Sequence, residues 1–153
     1  MSRGLGDVYK RQEYNHTIDA KGRMILPAKF REGLGNRFVL SRGIDQCLTI
    51  YPLENWEKLA SSLQKLSFTK SSVRTLRRFL IGSSTEVECD KQGRVLIPSH
   101  LREYAGIKKE ALVIGTGATI EIWSPEILQL TNSKEESIGE LAESLDVPMD
   151  FEI

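Results

Sequence analysis

Short apolar runs broken by turn residues dominate the chain from Glu13 to about Leu130, with one interruption where the hydrophobic period lengthens. Met24-Ile25-Leu26 and Val95-Leu96-Ile97 each follow a Gly-Arg pair and end at a proline. Phe38-Val39-Leu40, Leu48-Thr49-Ile50-Tyr51, Leu112-Val113-Ile114 and Ile120-Glu121-Ile122-Trp123 are further apolar runs bounded by polar or glycine-rich residues. Runs of this kind read as strands. Between the two sets, Leu53 to Leu66 places Trp56, Leu59, Leu63 and Leu66 at helical spacing, and Ser71 to Ile81 does the same with Val73, Leu76 and Leu80. Phe68-Thr69-Lys70 is a short link, so this pair is expected to form a helical hairpin. After Ser133, Ile138, Leu141, Ala142 and Leu145 are spaced as one face of another amphipathic helix, while the acidic bias of the same segment reads as chain without a fixed fold.

The strand pattern is a duplication. His16 to Glu32 reads HTIDAKGRMILPAKFRE, and Val87 to Glu103 reads VECDKQGRVLIPSHLRE. An offset of 71 aligns Asp19 with Asp90, Gly22 with Gly93, Arg23 with Arg94, Pro27 with Pro98 and Arg31 with Arg102. Two modules of one design follow. In each, a strand ends at the aspartate, a turn follows, and a second strand leads to the proline. The proline suits the first position of a short helix, because its missing N–H has no intrahelical partner there. That helix is expected to stop near Gly33 or Gly106.

The turn is the candidate site. Gly22 and Gly93 stand where a three-residue hairpin loop needs positive φ. Asp19 and Asp90 open the loop, where a carboxylate accepts backbone N–H groups and can hold an arginine across the hairpin. These two aspartates and two glycines are therefore expected to be structural. Arg23 and Arg94 emerge at rigid corners, beside Lys21 in the first copy and Lys91 and Gln92 in the second. A fixed guanidinium fork suits phosphate oxygens or the paired acceptors of guanine. A single such turn is more often only a turn; its recurrence with the same following strand favours function for the arginines. Arg74, Arg77 and Arg78 read as a solvated or subunit-pairing helix face, with a DNA role the lesser alternative, and Lys29 as a further phosphate contact. His16 reads as a hydrogen-bonded strand residue and His100 as a surface residue. Tyr51, Trp56 and Trp123 read as core or interface aromatics.

Formal net charge is zero, from 21 basic and 21 acidic residues, which argues against nucleic acid until the charges are located. From Lys134 onward there are seven carboxylates and one lysine, whereas residues 13–133 hold 17 basic and 13 acidic side chains. The body is modestly positive and the tail acidic. The opening MSRGLGDVYKRQ lacks periodicity and leads abruptly into the patterned region, so it is expected to be a non-native leader. No apolar run approaches the roughly 20 residues of a membrane span. Two cysteines 42 residues apart and two histidines do not form a zinc pattern. Phosphate loops, nucleophile elbows and metalloprotease motifs are missing from the sequence, so neither enzymatic activity nor a cofactor or metal is expected.

HTIDAKGRMILPAKFRE and ECDKQGRVLIPSHLREYAG, separated by a segment ending in RRFLIGSSTEVE, resemble MraZ proteins over Glu13 to about Leu130. The resemblance implies an α+β, β-dominated fold of tandem AbrB-like swapped-hairpin barrel modules with an intervening helical hairpin. The corresponding boundaries are a leader at 1–12, modules at 13–53 and 83–130, the hairpin at 54–82 and an acidic tail at 131–153. It further implies a cytoplasmic, nucleoid-associated transcriptional regulator of the division and cell-wall gene cluster. Such a protein binds double-stranded DNA at promoter direct repeats as a ring-shaped homo-oligomer, with Arg23 and Arg94 as the motif arginines. The alternative is an antitoxin-like interaction module whose partner binds the acidic tail.

Overall fold

A computed structural model describes residues 13–134 and 137–145. The expected leader at 1–12 and tail residues 135–136 and 146–153 lie outside the described residues. In chain order the elements are β1 (Glu13–Thr17), β2 (Arg23–Ile25), α1 (Ala28–Leu34), β3 (Arg37–Arg42), β4 (Leu48–Pro52), α2 (Leu53–Gln64) and α3 (Ser71–Leu80). There follow β5 (Thr85–Glu88), β6 (Arg94–Leu96), α4 (Ser99–Ala105), β7 (Glu110–Gly115), β8 (Ile120–Trp123), α5 (Pro125–Ser133) and α6 (Ile138–Ser144). The class is α+β, and the second copy repeats the element order of the first. No helix of the described residues is long and apolar enough to cross a membrane.

The two copies are interlaced. Six strands form one antiparallel sheet in the order β1-β7-β8-β4-β3-β5, and β2 pairs with β6 in a second, two-stranded sheet. The first strand of each copy thus pairs with the third strand of the other: Asn15 opposes Leu112, and Glu86 opposes Val39. Each of these registers maps onto the other when the copies are exchanged. The β4–β8 pairing, centred on Thr49 and Glu121, and the β2–β6 pairing, centred on Met24 and Val95, map onto themselves. Approximate two-fold symmetry relates the copies within one chain. Strands that leave one aspartate turn therefore diverge, β1 toward β7 and β2 toward β6.

The core is built from both copies. Met24, Leu26, Phe38, Leu40, Leu48 and Ile50 from the first pack with Val95, Ile97, Leu101, Ala111, Val113 and Ile122 from the second. Alternation leaves the neighbours of Met24 and Val95 outward on β2 and β6, whereas on β3 and β4 the neighbouring Val39, Ser41 and Thr49 are buried as well. Cys47 is buried beside β4, and burial pushes its thiol up to about 12. Trp123 is buried, and Tyr51 packs on Trp56 with ring centroids 5.2 Å apart.

Several helix ends differ from the sequence expectation. The proline before each short helix is its cap, with Pro27 at φ −53° and Pro98 at φ −55°. In α1 the positive φ falls at Gly35, not Gly33, and the Gly35 N–H donates to the Arg31 carbonyl. The extra residues bring Leu34 into the core, while Gly33 stays exposed on the helix. In α4 the left-handed stop is at Gly106 as expected. Helix α2 ends at Gln64, so Leu66 falls outside it and is exposed. Helix α5 was not expected; its N-cap Ser124 and Pro125 in the first turn are its sequence signal. The basic cluster on α3 is largely taken up within the hairpin. Arg77 donates to the carbonyls of Leu63, Gln64 and Leu66 at the end of α2, and Arg74 donates to those of Phe68 and Thr69. These bonds satisfy carbonyls that a helix end leaves without partners.

Candidate nucleic-acid interface

Each Asp-x-x-x-Arg segment closes a three-residue loop. The Asp19 N–H donates to the Arg23 carbonyl at 2.9 Å, and the Gly22 N–H donates to the Asp19 carbonyl at 3.0 Å. Asp19 Oδ1 accepts the N–H groups of Lys21 and Arg23, while Oδ2 accepts Arg23 Nε at 2.9 Å. The second copy repeats this bond for bond. Asp90 Oδ1 accepts Gln92 and Arg94 N–H groups, Oδ2 accepts Arg94 Nε at 2.7 Å, and the Gly93 N–H donates to the Asp90 carbonyl. Gly22 and Gly93 have φ of 85° and 78°, a conformation that costs other residues dearly.

The carboxylates are thus fully engaged in shaping the turn and orienting the arginine. Donation from the Arg23 N–H, and then from its guanidinium, holds the Asp19 carboxyl below the usual carboxylate range; Arg94 does the same for Asp90. A depressed folded-state value means the stabilisation is present above the unfolded value of about 3.9 and is lost as pH falls through the folded one. Carboxyl-carbon NMR titrations of Asp19 and Asp90 are expected to give midpoints below about 3.9. Midpoints at or above that value would contradict the clasp.

Arg23 and Arg94 are brought to one surface. In the β2–β6 ribbon Arg23 opposes Leu96 and Ile25 opposes Arg94, while Met24 and Val95 oppose each other at the centre. Met24 and Val95 point into the core. By alternation, Arg23, Ile25, Arg94 and Leu96 share the outward face. The two arginines occupy diagonal positions there, with backbones roughly 7–8 Å apart. Their side chains are 27% and 31% exposed. Lys21, Lys91 and Gln92 are exposed on the loops at either end of the ribbon.

Two further arginines belong to these corners and were not singled out from sequence. Arg31 on α1 donates from Nε to its own Leu26 carbonyl, yet its guanidinium lies against Gly93 of the other copy. Arg102 on α4 donates to the Ile97 carbonyl and lies against Gly22. The backbone crosses in the same way, with the Leu26 N–H donating to Gly93 and the Ile97 N–H to Gly22. Each corner therefore holds three cations against one carboxylate: Lys21, Arg23 and Arg102 with Asp19, and Lys91, Arg94 and Arg31 with Asp90. The alignment of Arg31 with Arg102 was visible in the repeat. Their exchange between copies was not, because it depends on the swapped pairing.

The remaining candidates lie elsewhere or serve the fold. Lys29 is on α1, half-buried. His16 lies on β1, where its Nε2 is buried without a hydrogen-bond partner among the described residues. Burial lowers its pKa. His100 is exposed, with Nε2 3.4 Å from the Ser83 carbonyl. Among the described residues, no group of three or more histidine, cysteine or carboxylate side chains is placed to hold a metal.

A family model described as "MraZ protein, putative antitoxin-like" matches twice, at residues 10–79 and 80–145. Two curated relatives, both named Transcriptional regulator MraZ, are from Thermoanaerobacter sp. (strain X514) and Caldanaerobacter subterraneus subsp. tengcongensis. Each is 49% identical over 135 residues, covering 88% of this chain and 94% of the relative. A solved structure, the solution structure of PHS018 from Pyrococcus horikoshii, covers 72% of this chain and 85% of its own at 18% identity, with a TM-score of 0.28. The paired family match over nearly the whole chain, together with 49% identity to curated members, establishes that this chain belongs to the MraZ family.

Proposed function

We propose that this protein is a sequence-specific DNA-binding transcriptional regulator that uses the outward face of the β2–β6 ribbon and its two corners to enter the major groove. The reading places it in the cytoplasm on the nucleoid, as a ring-forming homo-oligomer bound to promoter direct repeats ahead of the division and cell-wall genes. The observation that carries it is the placement of two clasped, part-exposed arginines on one narrow ribbon. The curated relatives' name supports the same direction. Among the described residues only Nε of each guanidinium is bonded, to the aspartate, which leaves the terminal nitrogens for an outside acceptor. A two-stranded ribbon is narrow enough for a groove about 12 Å wide. Lys21, Lys91, Arg31 and Arg102 then serve the phosphates on either side, and Gln92 is available to a base edge or a phosphate.

Magnitudes explain why assembly belongs to the proposal. One arginine reading a base is worth about 1–3 kcal/mol, and specific sites exceed non-specific ones by about 4–10 kcal/mol. Repeating the ribbon around an oligomer makes later contacts intramolecular and closes the gap. Arg23→Ala and Arg94→Ala are each expected to weaken promoter binding about 5- to 150-fold, the equivalent of 1–3 kcal/mol, with the fold and assembly retained. Gel-shift titrations at several salt concentrations test this. A phosphate contact lowers the salt slope by about one, and a base contact mainly relaxes sequence preference. Undiminished affinity in both variants would remove the basis of the proposal. In the antitoxin-like alternative the partner sits on the acidic tail; retention of promoter DNA by the protein alone separates the two readings.

A further inference from the structure

The outward face of the β2–β6 ribbon carries more than its arginines. Ile25 is 49% exposed and Leu96 is 54% exposed, although the strand residues behind them are almost completely buried. A lone exposed aliphatic residue is ordinary on a protein surface. Here two of them occupy equivalent positions in the two copies, because the offset of 71 that relates the repeats takes Ile25 to Leu96. Each lies directly across the ribbon from an arginine, Ile25 from Arg94 and Leu96 from Arg23. The face is thus an alternation of guanidinium and branched aliphatic side chain about the approximate two-fold axis.

That composition narrows what can cover it. A solvent-facing ribbon gains nothing from two branched aliphatics on its outward face, and an apolar protein partner would have to desolvate two guanidiniums already half shielded by their own aspartates. Duplex DNA presents both chemistries at once in the major groove. Phosphates and guanine acceptors meet the arginines, and the thymine C5-methyl is the apolar group exposed on a base edge there. We infer that Ile25 and Leu96 are specificity residues that contact thymine methyl groups in the major groove. The inference rests on the DNA-binding reading above. The two residues sit diagonally, their backbones roughly 7–8 Å apart. That matches about two base-pair steps at 3.4 Å each. With the approximate two-fold axis passing between Met24 and Val95, the two thymines lie on opposite strands.

Thymine-to-uracil replacement tests this without altering the protein. A duplex enriched by the full chain from a randomised pool is remade with deoxyuridine at one thymidine position at a time. Binding is expected to fall roughly fourfold at each contacted methyl, the effect of exposing one buried methyl-sized group. The sensitive positions should form a pair on opposite strands. Ile25→Ala and Leu96→Ala each weaken binding to the thymine duplex, and each erases the response at one member of the pair. Equal retention of thymine and uracil duplexes by the unaltered protein overturns the inference while leaving DNA binding intact. So do variants that keep the full methyl response, or variants that change the sedimentation coefficient of the assembly, which would mark this face as a contact between copies of the chain. A pool that yields no enriched duplex removes the DNA-binding reading and this inference together.

Discussion

Dividing the chain between Gly82 and Ser83 is expected to leave neither half folded as a monomer. The cut would fall neatly between two sequence repeats, which is where independent modules would separate. The pairing forbids it. In the first half β1 loses β7, β2 loses β6, β3 loses β5 and β4 loses β8, so only the β3–β4 hairpin keeps its partner. An isolated two-stranded hairpin is marginal in water. The buried faces of Met24, Leu26, Phe38 and Leu40 would also lose the Val95, Ile97, Leu101 and Val113 side chains packed among them. The cost is the whole stability of the fold, on the order of 5–15 kcal/mol. Circular dichroism and sedimentation of residues 13–82 and 83–145, separately and mixed, measure it. A folded monomer from either half would refute the interlaced pairing, whereas the mixture is expected to regain cooperative melting.

Of the two corner glycines, Gly93 is expected to show the larger effect when substituted. Its φ of 78° costs an L-residue roughly 1–2 kcal/mol. A Cβ there would also stand 2.7 Å from Cζ of Arg31, closer than real contacts allow. The guanidinium can move only by giving up the bond from its Nε to the Leu26 carbonyl, at a net cost of about 1–2 kcal/mol. Gly93→Ala should therefore destabilise by about 2–4 kcal/mol and lower Tm by roughly 6–13 °C. Gly22→Ala should cost less, since the Cβ would meet the Arg102 guanidinium at 3.0 Å. Equal melting temperatures for Gly93→Ala and the unaltered protein would show that the corner does not depend on this close approach. If the corner reads DNA, the same substitution weakens binding through Arg94 without removing it.

How far residue pattern reaches can be seen element by element. The Asp-x-x-Gly-Arg turn was legible in detail because its bonds span only four residues, and local chemistry settles them. The stop of α4 at Gly106 was legible for the same reason. The stop of α1 was misplaced at Gly33, since two glycines flank Leu34 and only the core's demand for that leucine chooses between them. Arg74 and Arg77 read as part of a charged face, yet they serve carbonyls at the hairpin connection, which becomes apparent only when α2 and α3 lie side by side. The outward placement of Ile25 and Leu96 was not legible, because three-residue apolar runs carry too little alternation to reveal which position faces outward.

The amino-acid sequence alone determined that there are two copies of one unit, where their strands and turns lie, and which carboxylate holds which arginine. These are consequences of composition and short-range bonding. Tertiary structure decided that the copies exchange strands, that Arg23 and Arg94 share one ribbon face with two aliphatic side chains across from them, and that Arg31 and Arg102 each complete the other copy's corner. The physical reason is that strand pairing and side-chain burial join residues some 70 positions apart, and a near-symmetric repeat satisfies its local preferences equally well whether each copy folds on itself or on its twin.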